Sequence, residues 1–402
     1  MPRCPVQLAL LTFWRNLTTT HPRPQSPPTP QRLLLACSAG GDSVALTHAA
    51  AHLHRHNVLP AELRVAHVHH HLRGPDADAD AQAAATLADT LGLPFHLLHL
   101  DSDALRAASN LESAARDARY AALAGLCRPG DAVWTAHHAD DQAETVQMRI
   151  ARGTGWRGAS GMQPRSYAPV WPALAGVTLV RPALRLSRDE LQPSLGKLEP
   201  IADPSNENTD FERIRVRKAL SRDPSRRAQF LELSDKLAAG RVAERERLAA
   251  VLDGHAMTHE GQLSLRSLAP LDALATLAPI VGGQQGPVDR SRLRAGREAL
   301  KSGAPVALGG GCIGDWDGEQ LVLSRDPVAM TGRSDGGLVP TAERLEIGPE
   351  PQVWDGRFLI SGESGVVNPE RRGRHVGFRI LFGRDVRVRN LVAERIQHSC
   401  AP

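Results

Sequence analysis

The chain has 402 residues, 42% of them hydrophobic and 23% charged, with a formal net charge of +4 and a pI near 9.0. That length points to two or three domains, and the composition is that of a globular chain, not a disordered or fibrous one. No apolar run is long enough to cross a bilayer, and five cysteines without C-x-x-C spacing point to free thiols in a reducing cytoplasm, against structural zinc or an iron–sulfur cluster.

Met1 to Asn16 contains LALLTFW, interrupted at Arg15 and followed by no small-residue cleavage site, so it reads as a short amphipathic helix packed on the first domain. Pro22, Pro24, Pro27, Pro28 and Pro30 form a stiff connector. From Gln31 to about Arg185 strands alternate with helices. The strands are expected at Leu33–Cys37, Leu63–Val68, Phe95–Leu100, Ala132–Ala136 and Val177–Val180, and the helices near Ser43–Arg55, Asp78–Leu91, Leu111–Leu126 and Asp141–Arg152. Such alternation predicts an α/β fold with a parallel sheet covered on both faces, and a ligand outside the carboxyl ends of the strands.

Asp203 to Leu220 is an Asp-Pro-Ser-Asn turn leading into a basic helix. Gln229 to Leu252 reads as a helix whose packing face is Phe230, Leu233, Leu237, Val242 and Leu248. Leu268 to Lys301 looks helical with a glycine interruption, and Val306–Leu308 with Leu321–Leu323 reads as a hairpin. The stretch from Leu338 has β-like pieces at Val353–Ile360 and Gly377–Leu381 and is rich in arginine. The expected domains are 1–30 (helix and connector), 31–220 (nucleotide-binding α/β), 221–325 (mainly helical with a terminal hairpin) and 326–402 (β-containing and basic).

Two polar motifs fall directly after strands, so both should face one crevice. In the first, Ser38-Ala39-Gly40-Gly41-Asp42-Ser43, hydroxyls and free backbone N–H groups stand at a helix N-terminus, where peptide dipoles favour a pyrophosphate. It lacks the Gly-Lys-Ser/Thr ending of a Walker A loop, and a plain glycine turn capped by Asp42 or Ser43 has the same residues. It resembles the pyrophosphate loop of enzymes that cleave ATP to AMP and pyrophosphate. The second is His137-His138-Ala139-Asp140-Asp141-Gln142-Ala143-Glu144, in which Asp141 and Glu144 share one helical face. They can meet a cation or an ammonium group, or form a capping box with Asp141 as N-cap. Gly153-Thr154-Gly155-Trp156-Arg157-Gly158 satisfies G-x-G-x-x-G but follows a helix, which excludes a dinucleotide fold. Histidines 67, 69, 70, 71, 137 and 138 lack cysteine neighbours and H-E-x-x-H spacing, so they read as strand-end residues lining a nucleotide crevice.

His137 to Thr145, followed by Arg149, Arg152-Gly153-Thr154-Gly155 and Gly161-Met162, resembles the signature of the tRNA(Ile)-lysidine synthetase family. Three further stretches match that pattern: Ala66 to Arg73 against Val-His-Val-Asn-His-Gly-Leu-Arg, Ala115 to Tyr120 against Ala-Arg-x-x-Arg-Tyr, and Asp203–Asn206 with Arg213, Arg215 and Arg217. The likeness covers about Leu33 to Leu220 and is thin beyond, apart from Trp354 to Phe358. Ala39 replaces a loop glycine, His69 an asparagine, and Ile214 the asparagine after the first arginine.

The resemblance implies an adenine nucleotide α-hydrolase-like fold and the cofactors ATP and Mg2+. The implied reaction is ATP-dependent ligation of L-lysine to C2 of the wobble cytidine of tRNA(Ile) with a CAU anticodon, through an adenylated cytidine. Ser38, Ala39, Gly40, Gly41, Asp42 and Ser43 are expected to bind ATP, and Asp42 and Asp141 the metal. Asp42, Arg116, His137, Asp141, Glu144 and Arg213 are the expected catalytic set, with His137 as general base. Asp141 and Glu144 are expected to take the lysine ammonium, and Arg215, Arg217 and Lys218 the tRNA. The chain is expected in the cytoplasm, off the membrane, with homodimer formation open. The alternatives are another pyrophosphate-loop enzyme that modifies tRNA or forms amides, and a non-catalytic RNA-binding protein whose loop Ala39 has degraded.

Overall fold

A computed structural model describes residues 4–19, 30–72, 74–128, 130–167, 177–196, 198, 212–258, 260–284, 288–326, 345–347, 352–355, 357–372, 375–384 and 387–400. The Asp203–Asn206 turn and Arg73 lie outside them, as does most of the proline connector. The chain divides into two compact units, Met1–Arg241 and Val242–Pro402.

The first unit runs α1 (Pro5–Thr19), β1 (Arg32–Ala36), α2 (Gly41–Arg55), β2 (Glu62–His69), α3 (Pro75–Leu91), β3 (Phe95–His99), α4 (Ser102–Ala107), α5 (Leu111–Gly125) and β4 (Ala132–Trp134). It continues with α6 (Ala139–Ala151), α7 (Trp156–Ala159), β5 (Arg165–Tyr167), β6 (Thr178–Val180), α8 (Arg188–Leu191), α9 (Glu212–Arg222) and the start of α10 (Pro224–Val251), whose last residues, from Val242, belong to the second unit. One sheet has the order β3-β2-β1-β4-β6-β5, parallel except for the short edge strand β5.

Side chains alternate across a strand, so Leu33 and Leu35 of β1 face one way and Leu34 the other. Leu33, Leu35, Trp134 and Val180 pack with Leu10, Trp14, Leu46, Leu53 and Leu87. Leu34, Ala66, Val133 and Leu179 pack with Tyr120 and Leu123 of α5. Both faces are therefore covered, as an apolar parallel strand requires. The chain leaves β1 toward β2 and β3, then returns to place β4 on its other side, which opens a crevice at the carboxyl ends of β1 and β4. No helix among the described residues is long and apolar enough to cross a membrane.

The sequence reading of α10 needs one correction. Val242, assigned to its packing face, is 52% exposed. An inward residue that the sequence reading missed is Ser234, whose hydroxyl accepts from Gln142 Nε2 and donates to Ser160 O, each at 2.9 Å. Leu248 of the assigned face is buried as expected, so the polar anchoring of Ser234 adds to the apolar spacing, and Val242 is the residue that falls off the face.

The second unit adds β7 (Ala256–Met257), β8 (Leu263–Leu265), α11 (Leu271–Val281), α12 (Arg290–Leu300), β9 (Val306–Gly309), β10 (Cys312–Trp316), β11 (Leu321–Arg325) and β12 (Leu345–Ile347). It ends with β13 (Gln352–Trp354), β14 (Phe358–Ser361), β15 (Ser364–Arg372), β16 (His375–Arg384), β17 (Arg387–Asn390) and α13 (Leu391–Cys400). The expected hairpin is corrected: Val306–Leu308 and Leu321–Leu323 are not partners, because β10 lies between them. Gly309, Gly310 and Gly311, all at positive φ, make the turn into that intervening strand. Asp355 accepts from the buried guanidinium groups of both Arg325 and Arg357, which ties β11 to the β13–β14 turn.

Candidate active site

β1 stops at Ala36 and the chain turns through Cys37, Ser38, Ala39 and Gly40 into α2. Ser43 knits this turn: its hydroxyl accepts from Ser38 N at 3.1 Å and donates to Gly40 O at 2.8 Å. Ala39 takes the left-handed conformation, φ 65°, with its methyl group buried beneath the loop. The first N–H groups of α2 have no intrahelical acceptors, which leaves Gly41, Asp42 and Ser43 as donors at the positive end of the helix.

That helix end opens on a cavity of about 690 Å³, within the range of small-molecule sites. Its wall joins Ser38, Asp42 and Ser43, the β2 end from Ala66 to His70, and Thr135, His137 and Asp141 after β4. Both polar motifs therefore converge on one crevice. Arg119 of α5 also lines it, whereas Arg116 stays exposed; the two guanidinium carbons lie 5.1 and 5.5 Å from the centre of the Tyr120 ring.

Behind the cavity, α6, α8, α9 and α10 bring carboxylates and cations together. Arg213 donates from Nε to Glu144 Oε2 at 2.8 Å and from Nη2 to Asp141 Oδ1 at 2.9 Å. Arg217 donates from Nε to Glu144 Oε1 at 2.7 Å. Glu144 is 2% exposed, so its charge requires these partners. Arg227 pairs with Asp140, and Arg188 Nε stands 3.5 Å from Asp42 Oδ1.

The helix begins earlier than its sequence suggested. His138, not Asp141, is the N-cap of α6, and Asp141 Oδ2 accepts from His138 N at 3.1 Å. The two adjacent histidines differ sharply. Burial pushes His137 down to about 3, an effect that Asp141 opposes and Arg181 reinforces, so its imidazole is neutral. Thr135 Oγ lies 2.8 Å from His137 Nδ1. Burial also opposes charge on His138, but Asp140, Asp42 and Asp141 hold it at about 10 as an imidazolium between them. In turn the His138 hydrogen bond outweighs burial at Asp140, whose carboxyl lies well below the usual range.

The glycine run after α6 is a turn, not a cofactor loop. Arg149 donates to Gly158 O at 3.1 Å and Gly161 O at 2.9 Å. Gln142 Nε2 donates to Met162 O at 2.9 Å, and Met162 N returns a bond to Gln142 Oε1 at 2.8 Å. Gln142 and Gly161-Met162 thus belong to one structural clasp beneath the site.

Among residues expected to bind RNA, Arg215 and Lys218 are exposed, whereas Arg217 turns inward onto Glu144. Sequence reasoning gave no role to Asp140, Arg188 or Arg227, read His138 only as a residue lining the crevice, and put Arg116 ahead of Arg119. Arg188 and Arg227 come from segments that carry no motif, and only the fold joins them to Asp42 and Asp140.

A PP-loop domain family matches residues 13–223. The chain is similar to a tRNA(Ile)-lysidine synthase of Hyphomonas neptunium, 35% identical over 70% of this chain and 80% of that protein. Another, from Novosphingobium aromaticivorans, is 43% identical over 47% of this chain and 56% of its own length. A third, from Ruegeria pomeroyi, is 33% identical over 88% and 82%. Among solved structures, the U34-tRNA thiolase NcsA from Methanococcus maripaludis aligns with a TM-score of 0.41 and 16% identity over 58% of this chain and 79% of that one. With its pyrophosphate loop, its parallel sheet and relatives of this length and identity, the chain belongs to the PP-loop family of tRNA(Ile)-lysidine synthases.

Proposed function

We propose that this chain uses ATP to attach L-lysine to C2 of the wobble cytidine in an isoleucine tRNA with a CAU anticodon. The observation that carries the reading is the convergence of the pyrophosphate loop and the His137–Asp141 edge on one cavity. The cytidine C2 oxygen is a poor leaving group until it attacks the α-phosphate of ATP and releases pyrophosphate. The lysine ε-amine then attacks C2 of the adenylated base, AMP leaves, and the amine gives up its proton.

In this reading Ser38, Ser43 and the first N–H groups of α2 hold the pyrophosphate. Arg213, clamped by Glu144 and Asp141, presents a fixed guanidinium to the charge that develops on the phosphates. Asp141, which lines the cavity, is assigned to the lysine ammonium, while Glu144, 2% exposed and outside that lining, holds the arginines. His137, pushed down to about 3, serves as a neutral hydrogen-bonding group, since so weak a base stores no proton at neutral pH.

Magnesium suits Asp42, whose Oδ1 is buried without a hydrogen-bond donor. It suits Asp141 less, because both its oxygens already accept hydrogen bonds. When bound, the ion would neutralise phosphate charge. Arg215 and Lys218 on the outer side of α9 are assigned to the tRNA backbone, and the site of action to the cytoplasm.

Incubation with a CAU-anticodon tRNA transcript, ATP and labelled lysine tests the reading. Label entering RNA with an equal amount of AMP supports it. AMP release without RNA label, or tRNA binding with neither product, overturns it.

A further inference from the structure

Beside the nucleotide cavity lies a second donor group for which the proposed ligase chemistry has no use. His69 and His99 end the adjacent parallel strands β2 and β3, paired in register, so their side chains emerge from the same sheet face. His71, two residues beyond His69, takes φ 54° and folds its ring back over both. Its centroid is 4.0 Å from that of His69 and 5.0 Å from that of His99. One ring nitrogen from each histidine falls within 4.8 Å of the others. Asp78, in the first turn of α3, places Oδ1 3.1 Å from His69 Nε2.

We propose that His69, His71 and His99 form a binding site for a divalent transition-metal ion of the zinc class, with Asp78 beside His69. Three imidazoles are a borderline-soft set that suits such an ion and not magnesium, which prefers oxygen. Bonds of about 2.0–2.1 Å to a tetrahedral ion require nitrogens slightly over 3 Å apart. His71 Nε2 and His99 Nδ1 are already closer, at 2.8 Å, sharing a hydrogen that must move to the opposite ring nitrogen when an ion enters. His71 and His99 are exposed, so small side-chain rotations bring both to the buried His69. The left-handed backbone of His71 costs about 1–3 kcal/mol, and the ring it carries gains little burial in return. Occupancy would cross-link the turn after β2 to the end of β3. Since His69 and His70 line the nucleotide cavity, the ion would stiffen that wall.

The sequence set a metal aside because the histidines showed no ligand spacing. His99 was not among those considered, and the sheet register alone brings it in.

The test uses the full chain, stripped with chelator and dialysed, titrated with Co2+ by visible absorption and with Zn2+ by calorimetry. The expected result is one ion per chain, with tetrahedral Co2+ bands. Affinity should fall at least tenfold in both His71→Gly and His99→Asn. His71→Gly relieves the backbone and should fold, which unfolding curves check, and His54→Asn, away from the cluster, should bind as the parent does. Absence of stoichiometric binding overturns the proposal, as does binding that neither cluster variant weakens. Neither result bears on lysine transfer, which is read separately.

Discussion

Replacing Ala39 by glycine tests whether the left-handed loop position limits nucleotide binding. At φ 65° an L side chain costs about 1–2 kcal/mol, which glycine removes. Two effects oppose that gain. Ala39 is 1% exposed in the core under the loop, so losing its methyl group forfeits about 0.8 kcal/mol of burial. Glycine also loosens the unfolded chain, at a cost of about 0.4–1 kcal/mol. Ala39→Gly should therefore change stability by less than about 1 kcal/mol, which for a unit of this size is within about 2–4 °C in melting temperature. Because Ala39 does not line the cavity, its methyl group does not stand between phosphate and the loop donors. The KM for ATP should stay within about threefold of the parent. Urea unfolding and the ATP dependence of tRNA-stimulated AMP release measure the two quantities. A tenfold fall in KM, worth about 1.4 kcal/mol, would refute the reasoning, because it would mean that alanine holds the loop away from its binding shape.

Glu144→Gln keeps the volume but strips the charge that holds Arg213 and Arg217, so kcat should fall at least 30-fold with ATP binding retained; an unchanged kcat would separate these arginines from the chemistry. Ring NMR should find His137 neutral down to about 3 and His138 charged up to about 10, and titration of both near 6.5 would contradict the electrostatics. With His138 raised, its contribution to stability is complete below 6.5 and disappears as pH climbs through about 10. With His137 depressed, stability is lost as pH falls from 6.5 toward 3. Gly161→Ala meets φ 72° and puts a Cβ 2.7 Å from Gln142 Nε2, so thermal unfolding should register a loss above about 1–2 kcal/mol; an unaltered melting curve would mean that the clasp gives way freely.

Much of the first unit was legible in sequence because its strands are buried on both faces. Leu33 to Ala36 is apolar throughout, its short length and the Gly40-Gly41 turn that follows favour a strand over a helix, and the polar residues after it have nowhere to go but the strand end. The start of α6 was misread because His138 is an unusual N-cap, whereas Asp141 carries the familiar signal. The strand Cys312–Trp316 escaped notice because Gly314 and Asp315 hide its alternation, and β5 because three residues carry no period. The site was legible in parts. Spacing showed that Asp141 and Glu144 share a face, but not what would occupy it, since Arg213 and Arg217 are about seventy residues away.

That occupancy changes what the acidic pair is for. Four carboxylates, Asp42, Asp140, Asp141 and Glu144, face His138, Arg188, Arg213, Arg217 and Arg227, so the cluster is compensated before any substrate arrives. Burying such charges is costly and seldom favours stability over an apolar core. What it secures is position. A free arginine gives up about 2 kcal/mol of side-chain entropy when fixed against a ligand, and in this fold Glu144 and Asp141 have fixed Arg213 during folding. A guanidinium held in advance on Asp141, which lines the cavity, need not reorganise when charge builds on a phosphate, which is where preorganised donors act most strongly.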